Sequence, residues 1–107
     1  MNIAFFTEME FQGKISRTHN NMRVEFAWMC ALKADHWNIN QPPNQQYDLG
    51  IVIIPKNNPQ FDINKLKQYC GIGKIIHYNN KYGITILYKK LILCLFIIHQ
   101  IKDITKV

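Results

Sequence analysis

Ile51-Val52-Ile53-Ile54 constrains the fold more than any other stretch; Tyr47-Asp48-Leu49-Gly50 leads into it and Pro55 follows. Four consecutive β-branched apolar residues have no polar face to offer water. A strand made of them must be covered on both sides, as central parallel strands are. Pro55 ends it because proline has no N–H for the ladder. The flanking sequence holds the pieces that can supply such a sheet.

Met1–Phe6 reads as a first apolar strand, and Thr7–Asn20 as a polar loop. Asn21–Ala34 is expected to be a helix, with Thr18 or Asn20 able to accept from its free first-turn N–H groups. Met22, Phe26, Met29, Cys30 and Leu32 give it an apolar stripe, with Trp28 alongside. His36–Asn40 is a short second strand with Asp35 at the turn into it, and Asn40–Gln46 is a breaker-rich loop. After the polar turn Asn57–Gln60, Asp62 caps a helix over Ile63–Cys70. Ile63, Leu66, Lys67 and Cys70 share one face of it, and Gly71 and Gly73 stop it. Lys74–Tyr78 and Ile84–Tyr88 are strands, while Leu91–Ile101 fits a helix or a strand equally well. Strand-helix-strand, twice over, is the pattern of βαβ units. The expected fold is a single α/β domain over residues 1–107, a Rossmann-like three-layer sandwich with a mainly parallel sheet of four or five strands.

At 107 residues, 48% apolar and 19% charged, the chain can bury a core. The N-terminus lacks the basic and apolar regions of a secretory signal. The longest apolar run, Leu91–Ile98, is short of the roughly 18–20 residues that span a bilayer. A soluble, cytoplasmic protein is the expectation. The net charge of +6 is unevenly spread. Residues 1–62 hold five Lys/Arg and six Asp/Glu, whereas residues 63–107 hold eight Lys and the single acid Asp103. Cys30, Cys70 and Cys94 are widely spaced and read as reduced, buried thiols. With His19, His36, His77 and His99 they form no close pairs of the kind zinc needs, so no metal is expected.

Several motifs fall away on spacing. Cys70-Gly71-Ile72-Gly73-Lys74 resembles a phosphate loop, but Gln68 and Ile75 stand where Gly and Ser/Thr are needed, and it follows a helix. The loop after the first strand holds only Gly13, too few glycines for a dinucleotide fingerprint. A phosphorylation receiver would want an acid at the end of the third strand, and Ile51–Pro55 has none. The dispersed tail lysines, without Arg, disfavour a nucleic-acid binder. The best polar cluster is the first loop: Glu8, Glu10, Lys14, Arg17 and His19, just past a strand and before a helix. An anion can sit at such a helix start. Lys14 and Arg17 could pair with it, and His19 or a glutamate could act as base.

Residues 1–70 also carry a resemblance. Met1–Glu8, the loop with Gly13, the Arg23-Val24-Glu25-Phe26-Ala27-Trp28 helix, Asp35-His36-Trp37-Asn38-Ile39 and Tyr47–Pro55 resemble the N-terminal Rossmann-like domain of GT-B glycosyltransferases. The resemblance implies sugar transfer from a nucleotide-sugar donor to a glycan acceptor, with this domain on the acceptor side of the cleft. It implies no resident cofactor, leaves the catalytic residues unknown, and makes Gly13, Lys14, Arg17 and His19 loop residues facing the cleft, beside Glu8. No donor domain follows. From about Ile72 the chain turns Ile-, Lys-, Tyr- and Asn-rich, with seven Ile and no Glu in its last 24 residues. This divergent tail, residues 72–107, suggests a truncated or frameshifted half-enzyme, inactive alone. The alternative is a small non-catalytic Rossmann-like binding or interaction module. Leu91–Ile98 discriminates between the two: a complete module should pack it as a central strand or helix, whereas a truncated half should leave it poorly packed or exposing an apolar patch, which would favour self-association.

Overall fold

The computed structural model describes residues 1–10, 13–14, 24–55, 62–78 and 82–104. Among these residues six strands and three helices form: β1 (Ile3–Thr7), β2 (Gly13–Lys14), α1 (Val24–Ala31), β3 (Asp35–Asn38), β4 (Leu49–Pro55), α2 (Asn64–Cys70), β5 (Gly73–Tyr78), β6 (Tyr82–Tyr88) and α3 (Leu91–Ile104). The strands make one sheet in the order β2-β3-β1-β4-β6-β5.

The expected Rossmann-like sandwich with a mainly parallel sheet is not what forms. Only β3-β1 and β1-β4 pair in parallel; β2-β3, β4-β6 and β6-β5 are antiparallel. The sheet is mixed, with antiparallel pairings in the majority. The reason lies in connection lengths. Three residues separate Tyr78 from Tyr82, whereas a parallel crossover needs a dozen or more. β6 must therefore fold straight back on β5, and it inserts between β5 and β4. The β4-α2-β5 segment is still a βαβ unit in strand direction, but one split by an antiparallel strand.

The β-branched run does become an interior strand, flanked by β1 and β6. Its alternate side chains feed two cores. Leu49, Ile51 and Ile53 join Ile3, Phe5 and Ile86 under Met29 of α1 and Cys94 and Ile97 of α3. Val52 joins Ala4, Phe6, Trp37 and Leu87 on the opposite face, under Leu66 and Cys70 of α2. Gly50 lets α2 approach closely, since a Cβ there would lie 2.5 Å from Cys70 Sγ. Full burial of each large apolar side chain stabilises by roughly 1.5–3 kcal/mol, so the paired Phe5 and Phe6 anchor both faces from one strand.

The link from β3 to β4 contains no helix. Ile39 and Tyr47 bury against the α2-side core, and Tyr47 N–H donates to Tyr69 O at 2.8 Å. Tyr47 Oη donates to Asp35 Oδ2 at 2.8 Å and accepts from Trp37 Nε1 at 2.8 Å. Asp35 belongs to β3 itself rather than to a turn before it. The helix expected to run to Ala34 stops at Ala31. Lys33 turns left-handed at φ 53°, and Ala34 N–H returns to Met29 O at 2.9 Å, closing the helix as a glycine would. Asp62 acts close to its expected capping role, its Oδ1 accepting from Asn64 N–H at 3.0 Å. Leu91–Ile98, open between helix and strand, is helical.

Candidate functional site

The carboxyl ends of the parallel strands β3, β1 and β4 lie together, and ligands of open α/β sheets gather at such edges, where neighbouring strands connect in opposite directions. Here that point is the end of β1, flanked by β3 and β4. The chain leaving β1 is held down by its neighbour. Ile39 N–H donates to Thr7 O at 2.8 Å. Asn38 Nδ2 donates to Met9 O at 3.0 Å and Glu8 O at 3.3 Å, while Asn38 Oδ1 accepts from Asn40 N–H at 2.9 Å. Below them, Thr7 Oγ1 bonds His36 Nε2 at 2.7 Å and accepts from Met9 N–H at 3.1 Å. These groups fix the first turn of the loop after β1.

The residues expected to form a cluster are placed as follows. Glu8 is half-buried, directly beyond β1. Gly13 and Lys14 form β2, paired with His36 and Asp35 on the outer edge of β3. Lys14 is thus level with Ala4 rather than with Thr7. Three strand positions, roughly 10 Å along the strands, together with the width of β3, separate it from the carboxyl edge that Glu8 occupies. Gly13 has φ 67°, a left-handed conformation that suits glycine. Arg17 and His19 lie outside the described residues, as do most of the polar loop and the start of the expected first helix.

A hollow of about 250 Å³ runs between the start of the β3–β4 connection and α2, lined by Ile39, Asn40, Gln41, Pro42, Lys65, Leu66, Gln68 and Tyr69. Its lining offers amides, one ammonium and an aromatic ring. Such groups suit hydrogen bonding to a neutral polar ligand better than proton transfer.

Among the described residues, the titratable groups clearly displaced in pKa that stand out are Cys70, Cys94 and Tyr47, all in the core. Burial pushes the Cys70 thiol up to about 12, against a smaller opposing pull from Lys89, and burial also raises Cys94. Both thiols are held protonated, the opposite of what a nucleophile needs. Burial raises Tyr47 as well; the hydrogen bond from Trp37 opposes the shift and Asp35 adds to it. Among the described residues, no three His, Cys, Asp or Glu side chains are grouped to hold a metal ion.

The site residues that sequence reasoning missed are Thr7, His36 and Asn38, which hold the β1 turn, and the Asn40, Gln41, Gln68 and Tyr69 hollow. Asn38 and Asn40 beside a strand end were the available signal, since short amides commonly bond backbone two residues away. No sequence signal places Gln68 opposite Gln41.

A second surface feature lies on α3. Cys94 and Ile97 are buried beneath the helix, while Leu91, Ile92, Leu95 and Phe96 are 54%, 73%, 54% and 53% exposed. No helix of the described residues is long and apolar enough to cross a membrane. No protein-family model, curated protein or solved structure matches this chain.

Proposed function

We propose that this chain is a small non-catalytic interaction module that presents the outer face of α3. The observation carrying this reading is the set Leu91, Ile92, Leu95 and Phe96, four large apolar side chains half or more exposed on one stripe of a helix that Cys94 and Ile97 otherwise anchor. They make an apolar patch on the order of 500 Å², toward the upper end of what monomers ordinarily expose. Cys94 and Ile97 pack α3 into the core, as the module reading expects of this run, so the stripe exposed on its other side is read as a binding face.

A second reading is a glycosyltransferase-like acceptor-side domain, inactive alone. It is supported by the parallel β3-β1-β4 trio and by the hollow, whose Asn40, Gln41 and Gln68 amides and Tyr69 ring are groups suited to sugar hydroxyls and sugar faces. Ligand-observed NMR with a panel of free mono- and oligosaccharides, standing in for the acceptor, separates the two. The module reading expects no saturable binding. Saturable binding that Gln68→Ala weakens would overturn it in favour of sugar transfer.

A further inference from the structure

The exposed stripe on α3 has a spacing that decides what can cover it. Leu91 and Ile92 form one pair, and Leu95 and Phe96 a second pair one turn later. An antiparallel two-fold crossing midway between the pairs sets Ile92 against Leu95 of the second copy, and Leu91 against Phe96. The pattern maps onto itself, as a two-fold interface requires, the same patch serving both partners. Every side chain in it meets an apolar counterpart, and none of the four carries a charge to strand.

We infer that the occupant of this face is a second copy of the chain, packed α3 against α3 about a two-fold axis. The inference rests on the interaction-module reading and names its partner. Two patches face to face bury on the order of 1,000 Å², where specific interfaces begin. An interface of this size, without a deep anchor, gives a weak dimer with a dissociation constant on the order of micromolar or above.

Charge sets the salt dependence. Each copy carries +6, and Lys89 and Lys90 are exposed at the start of α3. Like charges oppose association, and salt screens them. Dimerisation therefore strengthens as salt rises, the opposite of binding to nucleic acid or to anionic lipid, which salt weakens.

Sedimentation velocity of the full chain tests this, from about 1 to about 500 µM protein and about 50 to about 500 mM NaCl. The expected result is a concentration-dependent shift from 12.7 kDa to twice that mass, with the midpoint moving to lower concentration in high salt. Ile92→Glu and, independently, Phe96→Ser weaken dimerisation at least about tenfold with unchanged far-UV circular dichroism, while Lys74→Ala on β5 does not. A wild-type chain that stays monomeric throughout overturns the inference, as does dimerisation indifferent to both α3 variants. Monomers that cosediment with phosphatidylserine vesicles through Ile92 also overturn it, in favour of a membrane surface. Since sugar binding is read separately, a monomer with no such binding removes the dimer but leaves the module reading standing.

Discussion

Thr7 Oγ1 and His36 Nε2 are 2.7 Å apart, with both side chains fully buried. They sit on adjacent parallel strands, on the face covered by α1 and α3, because Phe5 pairs with His36 and Thr7 with Asn38. The hydroxyl also accepts from Met9 N–H, so one atom links the β1–β3 pairing to the first turn of the loop. Thr7→Val keeps the shape but takes the hydroxyl away from both of its partners. Leaving buried polar groups without this bond costs about 1–3 kcal/mol. The urea midpoint should fall accordingly, with Thr7→Ser closer to wild type. An unchanged midpoint in Thr7→Val would mean that the bond contributes nothing.

Gly50 and Cys70 set how closely α2 lies on β4. Gly50→Ala would place its Cβ 2.5 Å from Cys70 Sγ and 2.9 Å from Cys70 Cβ. Neither the strand interior nor the helix end can move without disturbing Phe6 and Val52 in the same core. Overpacking of this kind costs roughly 1–3 kcal/mol. Adding Cys70→Ala should return part of that loss, since the two changes share one contact. A double-mutant cycle in urea reads the coupling. Strict additivity would show that the helix simply shifts.

The buried thiols give the fold a pH dependence on the alkaline side. Cys70 is raised to about 12 in the folded chain, and Cys94 is raised too; in the unfolded chain thiols titrate near their ordinary value of about 8.5. Above that value the unfolded state releases protons that the folded state keeps, so stability falls as pH rises. The contribution is complete below the ordinary thiol range and is lost progressively toward the folded value, at up to about 1.4 kcal/mol per pH unit for one group. Urea midpoints measured across this range should decline, and Cys70→Ala should flatten the decline. In the folded protein at pH 8, Cys30, only partly buried, should react with a thiol reagent well before Cys70 or Cys94. Rapid labelling of Cys70 would contradict its placement against Gly50.

Much of the local structure was legible in the chain. The β-branched run ended by Pro55 announced a strand covered on both faces. Asp62 announced the start of α2, and Gly71, at φ 111°, its end. The three-residue connection between Tyr78 and Tyr82 also contained the antiparallel return of β6, although strand-helix-strand counting passed over it. That count registers the order of elements but not which strand is inserted between two others. The first-loop cluster was less legible. Lys14 is carried to the outer edge of β3 by backbone pairing, and no side-chain pattern announces a two-residue strand.

What the sequence by itself determined is the identity of most elements, because periodicity, β-branching, capping and proline act within a few residues of one another. Only the tertiary structure decided the mixed strand order, the pairing of Thr7 with His36, and which residues of Leu91–Ile98 face outward. In that run nearly every position is apolar, so both helix and strand satisfy it, and no stripe is marked as the buried one. The choice falls to the sheet. Cys94 and Ile97 face Ile51 and Ile86 across the core, and the same rotation of the helix leaves Ile92 and Phe96 at the surface.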